Sequence, residues 1–282
     1  MGWVRDLVKK HDPHNSDVRR APSARRLTVG RATTVGHVRD HNEDTLLTFE
    51  IAQMGDRSAG PLGWFVLADG MGGHQSGEQA SSVATRVVTY QLLNEILRSY
   101  LLNEQRDASQ SPLSEALSEA VMAANKAVHD QVPGGGTTLT CALVMGDRAY
   151  LAHVGDSRAY LFESDRLRQI TQDHSLVDRL VELGQISPSE AQHHPQRNIL
   201  YRAVGQSDTL EVDTYVETLP PSGIYRLLLC CDGVWGAIGD EQIAQVLRSA
   251  ATAQDACNRL IEAANVAGGK DNITAIVVEP QD

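Results

Sequence analysis

The stretch "WFVLADGMGGH", Trp64 to His74, decides how the rest of the chain reads. Five residues suited to a buried strand, Trp64 to Ala68, run straight into a carboxylate at Asp69, and three of the next four residues are glycine. The same device recurs in "LLLCCDG" (227–233), where an apolar run delivers Asp232 and Gly233. Apolar runs without polar alternation mark strands buried on both faces. Asp-Gly after a strand is ordinarily a turn, but two of them, each closing a strand of this kind, raise the question of what the carboxylates do there.

Working outward, other acidic residues hold comparable positions: Glu43 and Asp44 in "RDHNED", Asp156 in "HVGDSR" and Asp271 in "GGKDNIT". Asp271 precedes a strand, whereas Asp69 and Asp232 finish theirs, so antiparallel pairing brings the three to one rim. Converging carboxylates repel one another and are costly to desolvate unless a cation neutralises them. Oxygen donors without a cysteine or histidine pair favour magnesium or manganese over zinc. Such a cluster suits two ions about 3.5–4 Å apart that share one aspartate and make a bridging water acidic, a chemistry aimed at phosphate esters. Gly70 then lets a backbone carbonyl reach an ion, and Gly72 and Gly73 let the chain turn closely around it. A phosphate also needs a planar cation, and Arg39, four residues before Glu43, is the candidate. Arg158 reads as structural. His74 and His174 could each donate a proton to a leaving alkoxide, although a lone histidine is more often structural.

At 282 residues, 41% hydrophobic and 22% charged, the chain has an ordinary globular composition. Its net charge of −11 disfavours nucleic acid as a partner. Residues 1–26 carry seven Lys/Arg against three Asp/Glu and too few apolar residues to pack, so they read as a disordered basic leader ahead of one domain over 27–282. Cys141, Cys230, Cys231 and Cys257 show no framework spacing and read as reduced core residues, with the neighbouring pair pointing to opposite faces of a strand. With neither a membrane-spanning apolar run nor a secretory signal, the expected location is the cytoplasm.

Strand-like runs at 27–36, 45–50 and 62–69 precede two helices. The first opens on a capping box at Ser76 and Gln79, with Val83, Val87, Tyr90, Leu93 and Leu97 at helical spacing. The second opens on Ser111-Pro112, with Leu113, Leu117, Val121, Ala124 and Val128 as its apolar face. Residues 137–162 read as successive hairpins punctuated by Gly146-Asp147 and Gly155-Asp156. Residues 174–205, polar and histidine-rich with short helices at Leu176–Leu183 and Pro188–Gln192, read as an exposed, mobile flap. A strand at 224–233 leads to two helices capped by Asp240 and Thr252, the second stopped by Gly268-Gly269, and a final strand. This order gives an α+β fold with antiparallel sheet covered by helices.

In order along the chain, "GHVRDHNED" (36–44), "VLADGMGGH" (66–74), "GGTTLT" (135–140), "HVGDSRAYL" (153–161), "TQDHSLV" (171–177), "HPQRNILYRAVG" (194–205), "LLLCCDGVW" (227–235) and "GGKDNIT" (268–274) resemble the metal-dependent, type 2C (PPM) serine/threonine protein phosphatases in their compact bacterial form. The resemblance covers about residues 27–280. It implies a four-layer α-β-β-α sandwich of two antiparallel sheets flanked by helix pairs. It further implies hydrolysis of phosphoserine and phosphothreonine by in-line attack of a metal-bridging hydroxide, with Mn2+ or Mg2+ as two core ions and a weaker third. In this likeness Asp69 bridges both ions, Asp232 and Asp271 are direct ligands, and the carbonyl of Gly70 binds the second ion. Glu43 and Asp44 act through water, Arg39 binds phosphate, and Asp156 helps hold the third ion, with the backbone at Asn198 as a further contributor. Residues 175–205 match the flap beside the substrate cleft. Phosphoprotein substrates, a serine/threonine kinase among them, and a monomeric chain are the corresponding partner expectations. Many eukaryotic relatives place a histidine general acid directly after the DG pair, where this chain has Met71. His74 is the nearest substitute, and a metal-bound water is equally compatible. A catalytically silent phosphoprotein-binding module is the alternative reading, and a two-metal nuclease fits the ligand chemistry but not the acidic charge.

Overall fold

A computed structural model of the chain describes residues 26–51, 61–72, 75–101, 112–191 and 194–281. Its elements run β1 (Arg26–Thr34), β2 (Asp44–Ile51), β3 (Leu62–Met71), α1 (Gln75–Leu101), α2 (Leu113–Gln131), β4 (Gly136–Thr137), β5 (Leu139–Met145), β6 (Arg148–Val154), β7 (Arg158–Glu163) and β8 (Arg166–Gln169). They continue with α3 (Leu176–Glu182), α4 (Pro188–Ala191), β9 (Asp213–Thr218), β10 (Tyr225–Cys230), α5 (Asp232–Ser249), α6 (Ala253–Val266) and β11 (Ile273–Gln281). One sheet has the order β1-β11-β10-β7-β8 and the other β2-β3-β5-β6-β9, with β4 added beside β3. Among the described residues the strands pair antiparallel throughout.

Side-chain alternation along the strands builds three apolar layers. In β3, Phe65 and Leu67 point between the sheets, where they meet Ala142, Val144, Leu151, Leu161, Leu227, Leu229, Ile276 and Val278. The intervening Trp64, Val66 and Ala68 point outward onto α1 and α2. In β10 and β11, Leu228, Cys230, Ala275 and Val277 point the other way, onto α5 and α6. The result is the expected α-β-β-α sandwich, and it explains why the strand before Asp69 is apolar throughout: both of its faces are buried. Each fully buried Leu, Ile or Phe contributes about 1.5–3 kcal/mol relative to exposure.

The four cysteines are buried and free, with Cys230 and Cys231 in different apolar layers as their adjacency requires. Leu113, Leu117, Val121, Ala124 and Val128 form the buried face of α2, as read. Thr252 caps α6 by accepting from Asp255 N, and Gly268 and Gly269 follow its end with positive φ.

Several local expectations change. β1 begins at Arg26, one residue before the expected domain start, and the leader residues 1–25 lie outside the described residues. Helix α1 begins at Gln75, so Ser76 sits inside it and does not form the expected capping box. Its buried face is Ala80, Ala84, Val88, Leu92 and Ile96 together with Val83, while Tyr90 is 65% exposed. Small alanines allow the close approach of α1 to β3, where Trp64 Nε1 donates to Thr89 Oγ1 at 3.0 Å, and this outweighs the larger residues on the neighbouring face. Leu97's side chain, and Ser111 ahead of α2, lie outside the described residues; Pro112 itself is the α2 cap position. Gly146-Asp147 does turn a hairpin, but Gly155-Asp156 carries the chain from one sheet to the other. A β7–β8 hairpin turns instead at Ser164 and Asp165, both with positive φ. Helix α5 starts at Asp232 and is broken at the non-helical Gly239 (φ 71°), so a second helical segment does open at Asp240 as expected, with Gly239 and not Asp240 in the non-helical cap position. Asp240 Oδ1 accepts a 2.9 Å bond from the Tyr160 hydroxyl. Most described residues in the middle of the flap are exposed as expected, although Ala191 is buried, and so are its ends at His174, Ser175, Ala203 and Val204. β9 escaped the sequence reading because its residues alternate between half-buried and exposed and include only one branched aliphatic residue.

Candidate metal centre

The two Asp-Gly sites deliver their carboxylates differently. Asp69 lies within β3, which runs on through Gly70 and Met71 to pair with Thr137 and Gly136 of β4. Asp232 is the first residue of α5, at the positive end of the helix. Strand parity places Asp69 on the same face as Phe65 and Leu67, at the open end of the layer between the sheets. Asp44 is its register partner on β2. Cys231 and Thr274 continue the inward-facing rows of β10 and β11. One rim of the inter-sheet core is therefore capped by polar groups from both sheets, not by the edge of a single sheet.

Ligand atoms of Asp44, Asp69 and Cys231 lie within 4.8 Å of one another. Thr274 Oγ1 donates to Asp44 Oδ2 at 2.6 Å, while Asp44 Oδ1 is buried and has no hydrogen-bond partner among the described residues. Asp69's backbone is fixed on both sides: its N–H donates to Thr138 Oγ1 at 2.9 Å, and its carbonyl accepts from Thr137 Oγ1 at 2.9 Å and Thr138 N at 2.8 Å. Asn272, one residue after Asp271, accepts from Glu43 N at 2.8 Å and donates to His41 O at 2.9 Å and Val35 O at 3.2 Å. That single amide ties the 35–43 loop to the turn before β11 that carries Asp271. The sequence reading missed its role, although "DNIT" contains it.

Gly70 donates to Glu43 O at 3.2 Å, and a Cβ on it would stand 2.3 Å from Gly77 O and 2.6 Å from Glu43 O. Glycine is required there for packing β3 against the start of α1, independently of any role for its carbonyl. Gly72 has φ 124°, as a close turn requires.

Electrostatics set the character of the site. Burial, followed by the charges of Asp44, Asp232, Asp156 and Asp271, holds the Asp69 carboxyl well above the usual range. Burial is also the main reason that Asp44 is pushed up to about 7, against the hydrogen bond from Thr274 that lowers it. Asp232 is pushed up to about 6 by burial and then by Asp271, with Arg39 and a hydrogen bond from Asp69 pulling the other way. Asp156 is likewise held well above its usual range, by burial first and then by Asp232 and Asp173. Ionising all of these carboxyls together is unfavourable without a neutralising cation. The donor set is oxygen except for Cys231, whose thiol burial keeps well above its usual range. Buried oxygens, one lacking a partner, in a cluster that resists ionisation fit a hard divalent cation.

Arg39 stands at the mouth, its side chain 50% exposed, with Nη2 2.7 Å from Asp271 Oδ2. Arg158 is structural, as read: it grips Asp173 through three hydrogen bonds and lies 3.6 Å over the Trp235 ring. His174 is buried, with Nδ1 accepting from Gly155 N at 3.1 Å and Nε2 3.3 Å from Asp213 Oδ2, so it does not face the centre as a proton donor. His74 and Gly73 lie outside the described residues.

Fold and site together define a class: a two-sheet sandwich whose rim gathers carboxylates for hard cations, with an arginine beside them. Comparison with known proteins identifies it further. The family model described as Protein phosphatase 2C matches residues 26–183. The serine/threonine phosphatase stp of Listeria innocua is 37% identical over 247 residues, covering 88% of this chain and 93% of that protein. The crystal structure of the Mycobacterium tuberculosis serine/threonine phosphatase PstP/Ppp superposes with a TM-score of 0.75 at 34% identity, covering 91% of this chain and 100% of that one. A structure of the PstP catalytic domain in complex with two manganese ions gives a TM-score of 0.72 at 32% identity, covering 91% and 99%. The chain belongs to the protein phosphatase 2C family. Among the described residues, no helix is long and apolar enough to cross a membrane.

Proposed function

We propose that this chain is a metal-dependent protein phosphatase that hydrolyses phosphoserine and phosphothreonine on proteins, and that the acidic rim is its catalytic centre. The observation that carries the reading is the convergence of Asp44, Asp69, Asp156, Asp232 and Asp271 at one end of the inter-sheet core. Family membership and the manganese-bound relative support it. The catalytic unit is the domain over residues 27–282.

Asp69, Asp232 and Asp271 are the direct ligands of two core ions, Mn2+ or Mg2+, and the carbonyl of Gly70 joins them. Glu43 and Asp44 would act through water, and Asp156 would help hold a weaker third ion. Bound ions supply Lewis acidity, neutralising phosphoryl oxygens and making a water acidic enough to ionise near neutral pH. Arg39 supplies the planar two-pronged donor that orients the phosphate. Asp271 holds that guanidinium in place before substrate arrives, which limits the entropy lost on binding. The flap borders the cleft and contacts the protein that carries the phosphate, a serine/threonine kinase being one such substrate.

Arg39→Ala removes charge-assisted hydrogen bonds of about 1.5–3 kcal/mol, so kcat/KM for a phosphothreonine peptide falls roughly 10- to 100-fold. Unchanged kcat/KM in steady-state phosphate release would remove Arg39 from the phosphate site. The leaving serine or threonine alkoxide needs a proton, whereas p-nitrophenolate does not. His74 is the proposed donor, so His74→Ala slows phosphopeptide hydrolysis about 100-fold and p-nitrophenyl phosphate hydrolysis far less. Equal effects on both substrates would exclude it. The test of the function as a whole is phosphate release from phosphoserine and phosphothreonine peptides with added manganese. Binding of those peptides without turnover would make the chain a silent module.

A further inference from the structure

One buried side chain that the reaction does not use joins the flap to the acidic rim. His174 follows β8 and is 1% exposed. Its N–H donates to Gly155 O at 2.7 Å, and its Nδ1 accepts from Gly155 N at 3.1 Å, so both backbone groups of Gly155 are held by one residue. Because Nδ1 accepts, the neutral ring carries its proton on Nε2, which lies 3.3 Å from Asp213 Oδ2 as its acceptor and also 3.3 Å from Arg202 Nη1. Asp213 is itself held by Arg202 Nη1 at 3.0 Å. The His174 ring lies 4.9 Å from that of His153 and 5.7 Å from that of Tyr201.

The same residue closes the flap. Tyr201 N donates to His174 O at 2.9 Å, Ser175 bridges Leu200, and Leu176 N donates to Ile199 O at 2.7 Å. The two ends of the flap thus meet at His174. On its other side Gly155 has φ 111°, and a Cβ there would stand 2.6 Å from Thr138 Cγ2, so the backbone has little room to move independently. Asp156 comes next, and its carbonyl accepts from Trp235 Nε1 at 3.0 Å. Trp235 lies on the first turn of α5, three residues after Asp232. Asp156 is held from α5 on one side and, through Gly155, from the flap base on the other.

We propose that His174 is a positioning residue that transmits the placement of the flap base to Asp156 and thereby sets the affinity of the weakest divalent ion. This rests on the proposed reading of Asp156 as a ligand. Burial and the engagement of both ring nitrogens favour positioning over proton transfer. A purely structural role would lower stability without sorting one ion from the others, whereas positioning weakens one binding step selectively.

The experiment is Mn2+ binding to the full chain, read from the electron paramagnetic resonance of free Mn2+, with far-ultraviolet circular dichroism as the check on folding. Asp156→Asn defines the component of the isotherm that depends on Asp156. His174→Phe, which keeps ring volume but loses both nitrogens, should weaken that component about tenfold and leave the tighter steps within twofold. His174→Gln, which retains an acceptor for Gly155 N, should restore most of it. If His174→Phe does not fold, Asp213→Asn serves instead, loosening the imidazole and weakening the same component about threefold. A folded His174→Phe, or in its place a folded Asp213→Asn, with the wild-type isotherm would overturn the proposal while leaving Asp156 as a ligand. An unchanged isotherm in Asp156→Asn would instead overturn the ligand assignment of Asp156, and this inference with it.

Discussion

Replacing Asp69 with asparagine lowers manganese-supported hydrolysis of p-nitrophenyl phosphate by roughly 1,000-fold or more, a barrier increase of about 4 kcal/mol. The fold survives, because both backbone groups of Asp69 are satisfied by Thr137 and Thr138 and the substituted amide has nearly the same shape. The metal-free variant should melt at or above the wild-type temperature, since the amide removes one of the buried carboxyls that oppose each other's ionisation. Activity and metal-free stability moving in opposite directions distinguish a ligand from a structural residue. Turnover near the wild-type rate would mean that Asp69 does not hold the ions.

Added manganese should stabilise the protein much more at pH 8 than at pH 5. The sign follows from linkage. Asp44 and Asp232 have folded-state pKa values of about 7 and about 6, above the unfolded value of 3.8. Between about pH 4 and pH 7 the folded protein binds more protons than the unfolded chain, so metal-free stability declines as pH rises through that window. A divalent ion takes the place of those protons and removes the penalty above pH 7, while at pH 5 it must displace them. At an ion concentration near 100 times its dissociation constant the gain is about 2.7 kcal/mol, or roughly 5–10 °C in Tm for a chain of this size. Differential scanning fluorimetry at pH 5 and pH 8, with EDTA as the metal-free reference, measures it. Equal shifts at the two pH values, or no shift at pH 8, would contradict the assignment of these carboxylates to a cation site.

The legible part of the molecule was the part written in apolar runs. Trp64 to Ala68 and Leu227 to Cys231 have no polar alternation because both faces of β3 and β10 are covered, and that pattern marks two buried strands and the ends from which Asp69 and Asp232 emerge, whereas the two-sheet sandwich follows from the family resemblance. Side-chain parity even separates Cys230 from Cys231 correctly. What the sequence did not show depends on contacts between distant residues. The register that sets Asp44 opposite Asp69 is a property of the paired strands, and neither strand alone specifies it. Asn272 looks like a turn residue until its three hydrogen bonds to the 35–43 loop are seen. On α1 the periodicity finds Val83 and Val87, which do pack in the core, but centres the face toward the exposed Tyr90, because Ala80 and Ala84 carry little hydrophobic weight, yet their small size is what lets the helix approach the sheet. In the sequence His174 is a possible proton donor, and only its burial and its contacts with Gly155 and Asp213 give it another role.

The most direct test of the account is a crystal grown with manganese chloride and measured at the manganese absorption edge. Anomalous difference peaks within coordination distance of the Asp69 carboxylate, shared with Asp232 and Asp271, are the predicted result. A map with no peak at that rim, from crystals whose protein hydrolyses phosphopeptides with manganese, would contradict it.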